Sequence, residues 1–256
     1  MPIGILVTAR MGSTRLVDKH LRDIGGRPAL SYLLERIDRE FGTELADGSA
    51  VALIATGGEA RNAPLGALTT GTHARLFHGD DNNVPLRHLQ AARQLGLSGI
   101  VSVDGDDLFC APEAMRKVFA MLQDGVAVPK TSGLPLGMNA WGYTTAALEQ
   151  ALSGANLALL ETGWGRIFEG LPSRTEALVC PDADAVRATL DYDDDLAFFT
   201  RCILEIPGWR DLPSADFVRE IVARDIHATN AGLNQEYWQN FSLNIARENT
   251  TREAQK

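Results

Sequence analysis

The sequence contains few cysteines, and none of them lie close together. Its 256 residues include only Cys110, Cys180 and Cys202, without a C-x-x-C pair. This scarcity argues against a structural zinc site and against a disulfide framework. It is typical of a protein that works in a reducing compartment, so we expect a cytoplasmic location.

Long apolar runs are also missing. No stretch approaches the roughly eighteen apolar residues that a membrane-spanning helix requires. The first residues, MPIGILVTAR, lack the basic start and the small-residue cleavage site of a signal peptide. We therefore expect no membrane segment and interpret residues 3–8 as the first strand of the fold.

Positive charge is scarce. The chain has 24 lysines and arginines against 33 acidic residues, a net charge of −9. Such a balance opposes attraction to the phosphate backbone of nucleic acids, so we expect no nucleic-acid partner. Lys19 is the only lysine in the first hundred residues. An isolated lysine in an arginine-preferring chain could supply a compact charge for a phosphate.

Short apolar runs alternate with amphipathic segments over the first half of the chain. This alternation predicts an α/β fold with a mostly parallel sheet covered on both faces. Strands are predicted at 3–8, 51–55, 75–78 and 99–103, and helices at Pro28–Phe41, Val84–Leu95 and from Pro112 to about Leu122. Ligands bind such sheets beyond the carboxyl ends of the strands.

The pattern changes after about residue 126. Strands are predicted at 138–143 and Val186–Leu190, and helices at Thr145–Leu152 and from Asp193. We interpret residues 1–249 as a single domain. It would carry a small lid or dimerisation insertion near 130–180, and residues 250–256 would form a flexible tail.

The stretch ARMGSTRLVDKHL, residues 9–21, follows the first predicted strand and has the chemistry of an anion-binding loop. Gly12 permits close backbone approach, the hydroxyls of Ser13 and Thr14 can donate to oxygens, and three cations accompany them. These cations are Arg10, Arg15 and Lys19. The stretch is neither a Walker A loop nor a dinucleotide fingerprint. A solvated basic loop is the alternative.

Carboxylates end two other predicted strands. Asp104, Asp106 and Asp107 follow residues 99–103, and Asp191 follows Val186–Leu190. Oxygen ligands of this kind suit Mg²⁺, which proteins often share with substrate phosphates. The alternative for the Asp-Gly pair at 104–105 is a simple turn, and for Asp193–Asp195 it is capping of the following helix.

Together these segments resemble the cytidylyltransferase family. The resemblance rests on GILVTARMGSTRL followed by Lys19, ATGGEARNAPL at 55–65, HGDDNNVPLRHLQAA at 78–92, IVSVDGDDLF at 100–109 and TLDYDDDL at 189–196. That family includes the CMP-sialate and CMP-Kdo synthetases and the spore-coat polysaccharide protein F group. The match runs in order over roughly residues 3 to 200.

The resemblance implies a Rossmann-like nucleotidyltransferase fold of the glycosyltransferase-A type and a transfer of CMP from CTP to an anionic acceptor, with release of pyrophosphate. It implies Mg²⁺ held by Asp106 and Asp191, and commonly a homodimer. The residues it assigns to catalysis are Lys19, Arg10, Asp106 and Asp191. Those it assigns to nucleotide binding are Ala9, Arg10, Met11, Gly12, Ser13, Arg15, Lys19, Thr56, Asp104 and Gly105.

Several positions depart from the family pattern. The family usually has Pro-Gly before the loop lysine, where this chain has Val17-Asp18, and Trp141 stands where the sugar-acid enzymes tend to carry an acidic residue. We therefore expect an acceptor other than the common sugar acids, with phosphonates as candidates. Residues that could line its pocket, each of which could equally be a surface residue or serve core packing, are Arg87, Asn139, Trp164 and Arg166.

Two other functional classes remain open on the sequence. A nucleotide-sugar-dependent glycosyltransferase would also use a D-x-D cluster beside a metal, and Asp104-Gly105-Asp106 fits that pattern. A non-catalytic nucleotide-binding relative is compatible with the altered acceptor motifs. The presence of Lys19 and both acidic positions argues against the second alternative.

Overall fold

The protein is represented by a computed structural model that describes residues 1–153 and 159–254. Its centre is a seven-stranded sheet of order β5-β4-β1-β6-β8-β7-β9, and β2 and β3 form a separate two-stranded ribbon. The strands are β1 (Ile3–Thr8), β2 (Asp23–Ile24), β3 (Arg27–Pro28), β4 (Ala50–Thr56), β5 (Arg75–His78), β6 (Gly99–Asp104), β7 (Val128–Ser132), β8 (Trp141–Thr144) and β9 (Ser173–Ala177).

Helices cover both faces of this sheet. They are α1 (Leu30–Asp47), α2 (Glu59–Asn62), α3 (Val84–Leu95), α4 (Pro112–Gln123), α5 (Thr145–Leu152), α6 (Asp193–Glu205), α7 (Ser214–Ala223) and α8 (Leu233–Ala254). Helices α1 and α4 pack on one face, and α3 and α5 pack on the other. The predicted mostly parallel α/β sheet is confirmed: within the seven described strands of the main sheet, antiparallel pairing occurs only where β8 joins β6 and β7.

The strand β1 lies in the interior of the sheet, between β4 and β6, because it can be buried on both faces. Its residues Ile5, Leu6 and Val7 are at most 1% exposed. It pairs in parallel with β4 and β6, and Thr8 is aligned with Ala55 on one side and Asp104 on the other. The loops that follow these three strands therefore begin at the same edge of the sheet.

The first helix is longer than predicted. The apolar stripe predicted an end near Phe41, but α1 continues to Asp47 through a local kink at Phe41, where φ is −113°. It ends where Gly48 adopts a left-handed φ of 80°. Glycine takes this conformation without strain, so the helix stops there instead of at the last apolar residue.

The prediction of a strand at Val186–Leu190 was wrong. The segment is extended, but it forms only an isolated bridge between Arg187 and Leu136. Its amides at Ala188 and Leu190 donate to the carbonyls of Leu136 and Asp106, 2.9 Å away in both cases. Because these partners lie in loops, no regular ladder can form.

Residues 128–177 contribute β7, β8 and β9 to the main sheet. The lid or dimerisation role predicted for residues near 130–180 stays a prediction. Helix α8 continues through residues 250–254, where the sequence predicted a tail, and no glycine or proline interrupts it from Leu233 to Ala254. None of the described helices is both long and apolar enough to span a membrane.

The loop after β1 is held by a buried asparagine of α2. The Asn62 side chain is 0% exposed, and its Oδ1 accepts from the amide of Met11 at 2.8 Å. Its Nδ2 donates to the carbonyl of Gly58 at 3.1 Å. One side chain therefore fixes the start of the basic loop to the segment that follows β4.

Replacing Asn62 with alanine should loosen this loop, because the amide of Met11 would lose its partner in a buried place. We expect the free energy of unfolding in urea to fall by about 1–3 kcal/mol, and the Met11 amide to exchange hydrogen faster. Asn82→Ala, at an exposed site, is the matched control and should change stability by less than about 0.5 kcal/mol. Unchanged protection of Met11 in Asn62→Ala would refute the anchoring role.

A buried histidine contacts the last residue of β1. His88 is 0% exposed; its Nε2 lies 3.0 Å from Thr8 Oγ1 and its Nδ1 lies 2.5 Å from the hydroxyl of Tyr143. Burial, reinforced by the positive charge of Arg87, lowers the pKa of His88 to about 3. The imidazole is therefore neutral at neutral pH.

This burial should make stability depend on pH. In the unfolded chain His88 binds a proton near pH 6.5, whereas in the folded chain it does so only near pH 3, so its contribution is present above pH 6.5 and is lost as pH falls. Between pH 7.5 and 5, wild type should lose on the order of 2 kcal/mol more than His88→Gln. Urea unfolding of both proteins across this range measures the difference, and parallel curves would contradict it.

Candidate functional site

The loop of residues 9–21 crosses the carboxyl edge of the sheet, as predicted. Gly12 has a φ of 92°, a conformation that favours glycine, and the hydroxyl of Ser13 accepts from the amide of Leu16 at 3.4 Å. Asp18 is also left-handed, with φ 53° and ψ 34°. Aspartate tolerates this region better than most residues, so Asp18 can make the turn that a glycine would make before Lys19.

The side chain of Lys19 joins two distant carboxylates. Its Nζ lies 2.6 Å from Asp106 Oδ2, at the end of β6, and 3.1 Å from Asp191 Oδ1, before α6. The Lys19 side chain is only 12% exposed. The three residues on which the predicted site depended most therefore meet at one point.

The two arginines of the loop have different ion-pair partners. Arg15 Nη2 lies 2.6 Å from Asp191 Oδ1, and its guanidinium lies over the ring of Tyr192 at 5.4 Å. Arg10 instead donates to Glu161 at 2.5 Å, and its side chain is 48% exposed. Arg15 therefore belongs to the Lys19 cluster, whereas Arg10 forms its ion pair with Glu161, outside that cluster.

The charges of the cluster support one another. Burial alone would lower the pKa of Lys19, but the adjacent Asp106 and Asp191 outweigh it and raise the pKa. Burial would likewise raise the pKa of Asp106, but Lys19 outweighs it and lowers the pKa. Both groups therefore carry their charges at neutral pH.

The turn after β6 brings further carboxylates to the same edge. Crowding by protein atoms, together with the negative charge of Asp106, raises the pKa of Asp104 to about 7, although solvent still reaches its side chain. Burial and the negative charges of Asp106 and Asp104 raise the pKa of Asp107. A Cβ at Gly105 would come within 2.9 Å of the Thr8 carbonyl and 3.1 Å of His20, so only glycine lets this turn pack so closely against the basic loop.

The residues predicted near the base or ribose lie at the ends of β1 and β4. Ala9 is 1% exposed, and its amide donates to the carbonyl of Ala55 at 3.3 Å. Thr56 is 0% exposed, and its hydroxyl has no hydrogen-bond partner among the described residues. Met11 is 7% exposed. These side chains lie along the edge of the sheet. Among the described residues, the structure records no hydrogen bond or ion pair between them and Lys19, Asp106 or Asp191.

Four residues suggested for an acceptor pocket are engaged in structural contacts. Arg87 donates to the carbonyls of Asp80 and Asp81, and Asn139 bonds to the turn at Leu134. Trp164 packs 4.7 Å from Trp141, and Arg166 donates to the carbonyl of Gly163. Arg87, Asn139 and Trp164 thus make packing contacts, whereas Arg166 lies at the surface. A role for these four residues in an acceptor pocket stays a prediction.

Sequence reasoning missed a second layer behind Asp191. Arg187, 1% exposed, contacts Asp191 at 3.4 Å and Asp195 at 3.0 Å, and the ring of Tyr237 in α8 lies 4.5 Å from its guanidinium. The available signal was an arginine within the otherwise apolar run Val186–Leu190. The predicted capping role of the acidic cluster is confirmed for Asp195, whose Oδ2 accepts from the amides of Asp191 and Tyr192.

The donor set fits a hard divalent cation that also takes ligands from a substrate. Asp106 and Asp191 contact the same ammonium, so their oxygens lie close enough to share one small cation. Within residues 1–153 and 159–254, no three histidine, cysteine, aspartate or glutamate side chains form a group that could hold a metal ion. Two carboxylates completed by substrate phosphates and water are a usual arrangement for Mg²⁺.

Comparisons with known proteins find cytidylyltransferases among the proteins similar to this chain. Among curated relatives, the 3-deoxy-manno-octulosonate cytidylyltransferase of Idiomarina loihiensis is 29% identical over 121 residues, covering 46% of this chain and 44% of that protein. The enzyme of the same name from Brucella ovis is 32% identical over 135 residues, covering 51% and 50%. The chain thus spans about half the length of the curated relatives it matches.

Solved structures share the fold. A cytidylyltransferase from Leptospira borgpetersenii serovar Hardjo-bovis superimposes with a TM-score of 0.76 at 22% identity, covering 90% of this chain and 98% of that one. A CMP:2-keto-3-deoxy-manno-octonic acid synthetase complexed with CTP gives 0.55 at 14% identity, covering 80% and 99%. A family model described as cytidylyltransferase matches residues 4–162, more than half of the sequence. The chain belongs to the cytidylyltransferase family.

Proposed function

We propose that this protein transfers CMP from CTP to a small anionic acceptor and releases pyrophosphate. The observation that carries the proposal is the meeting of Lys19, Asp106 and Asp191, which come from three separate segments, at one partly buried point. Cations and carboxylates in such proximity suit a magnesium-bound triphosphate.

The loop of residues 9–21 would hold the triphosphate. Arg15 and Lys19 supply two cations that both contact Asp191, and Gly12 and Ser13 precede them in the loop. Arg10 would add a third cation after leaving Glu161, with which it pairs in the structure. Ala9 and Thr56, at the neighbouring strand ends, would flank the nucleoside.

Asp106 and Asp191 would hold Mg²⁺ between the nucleotide and the acceptor. When bound, the ion would neutralise charge on the phosphate oxygens of CTP and polarise the α-phosphorus. Lys19 and Arg15 would then exchange their present carboxylate partners for phosphate oxygens.

The transfer itself requires no nucleophile from the protein. An oxygen of the acceptor forms a bond to the α-phosphorus, the bond from that phosphorus to the bridging oxygen breaks, and pyrophosphate leaves with the electron pair. A phosphonate attacks through an oxygen that is already anionic, whereas the attacking hydroxyl of a sugar acid gives up its proton to solvent. The chain contributes by aligning the two substrates and by neutralising charge on the equatorial and leaving oxygens with Lys19 and Arg15.

The acceptor is proposed only as a class. Trp141 stands where the sugar-acid enzymes tend to carry an acidic residue, which favours a different anionic acceptor such as a phosphonate. The resemblance to the sugar-acid enzymes keeps sugar acids in the class as well. A homodimer and a cytoplasmic location also stay predictions.

Pyrophosphate release is the direct test. The protein is incubated with CTP and Mg²⁺ and with each member of a panel of sugar acids and phosphonates, and pyrophosphate is measured by a coupled assay. We expect release that requires CTP, the metal and one acceptor class. Absence of release with every acceptor, together with no CTP binding by calorimetry, would overturn the proposal.

Asp106→Asn should lower the rate by about a hundredfold or more, because it removes a metal-binding charge and the closest partner of Lys19. Asp193→Asn is the matched control. Its side chain is 81% exposed in the same acidic cluster that contains Asp191, and the variant should stay within about twofold of wild type. Equal rates for Asp106→Asn and wild type would remove Asp106 from the mechanism.

A further inference from the structure

A buried arginine lies directly behind one of the proposed metal ligands. Arg187 stands four residues before Asp191 in the sequence and is 1% exposed. We propose that Arg187 is a positioning residue, which holds Asp191 so that one of its carboxylate oxygens faces the loop of residues 9–21. This inference rests on the proposed function and names a residue that acts on the reaction only through Asp191.

Arg187 is fixed from three directions. Its Nε and Nη2 donate to Asp195 at 3.0 and 3.3 Å, at the start of α6. Asn230 donates to the Arg187 carbonyl at 3.1 Å and to Asp195 Oδ1 at 2.8 Å. From α8, the ring of Tyr237 covers the guanidinium at 4.5 Å. The guanidinium is therefore held in one orientation by Asp195 and Tyr237, neither of which belongs to the loop of residues 9–21.

The two oxygens of Asp191 have separate partners. Oδ1 faces the basic loop, where Arg15 and Lys19 approach to 2.6 and 3.1 Å. Oδ2 faces the other way, and Arg187 Nη2 lies 3.4 Å from it. Arg187 thus holds the oxygen that points away from the site and leaves the opposite oxygen exposed to the loop.

Stability of the turn does not explain this arrangement. Asp195 already fixes the turn by accepting from the amides of Asp191 and Tyr192. A buried arginine is costly to desolvate, and Nη1 of Arg187 has no hydrogen-bond partner among the described residues. Outer partners that orient metal ligands are a common reason for retaining such groups.

The role becomes important once nucleotide binds. If Arg15 and Lys19 turn to the triphosphate, Oδ1 of Asp191 loses both of its present partners. The ion pair with Arg187 is then the remaining side-chain contact that holds the Asp191 carboxylate. Without Arg187, the carboxylate could rotate away from the ion it should bind.

The test compares Arg187→Gln, Arg187→Lys and Arg224→Gln. Arg224 is an exposed arginine paired with Glu220, far from the proposed machinery, and serves as control. Mn²⁺ affinity is measured by electron paramagnetic resonance in the presence of CTP without acceptor, and kcat and the KM for CTP are measured with Mg²⁺. We expect Arg187→Gln to weaken Mn²⁺ binding by about 10- to 100-fold, with the KM for CTP changed by less than about threefold. Arg187→Lys should recover part of the loss, and the control should match wild type.

A second comparison separates positioning from folding. In an Asp191→Asn background, adding Arg187→Gln should lower kcat by less than about twofold, because the residue it acts through is already lost. An equal loss in both backgrounds, or unchanged Mn²⁺ affinity in Arg187→Gln, would overturn the proposal.

If Arg187→Gln does not fold, Asn230→Ala gives the same comparison with a smaller expected loss. If wild type binds Mn²⁺ and CTP but transfers no CMP, the proposed function fails while the Mn²⁺ comparison still decides the role of Arg187.

Discussion

The structure depends on the ion pairs that Lys19 makes with Asp106 and Asp191. These three residues lie far apart in sequence, and their meeting ties the loop after β1 to the end of β6 and to the start of α6. Charges in so enclosed a place attract one another more strongly than on an open surface, but they also lose hydration. Arg15 adds a further positive charge beside Asp191, which offsets part of that loss.

The parallel sheet brings this set together. Because β1, β4 and β6 are aligned side by side, their carboxyl ends present the basic loop, Thr56 and the Asp104–Asp107 turn at one edge. Gly105 and Asn62 then fix the distance between these segments, one by permitting close packing and the other by hydrogen bonding. The fold supplies alignment, and a few polar contacts supply precision.

The sequence predicted the parts of the molecule that follow from local pattern. Periodicity found α3 and α5 with their observed ends, and loop chemistry identified Lys19, Arg15 and the acidic positions. It could not find β7 and β9, which are short and polar and are strands only because neighbours pair with them. Nor could it find Arg187 or Tyr237 as neighbours of Asp191, since such long-range contacts between α8 and the site leave no periodic signal.

The ion pairs around Asp191 also bear on how the chain reaches its folded state. Small structural metal sites hold like-charged ligands together only when a cation from solution joins them, so their folding waits for the metal. Here the cations that balance the acidic cluster belong to the polypeptide itself. We therefore expect folding not to wait for a metal, so that a chelating agent would remove the proposed Mg²⁺ and leave the fold in place.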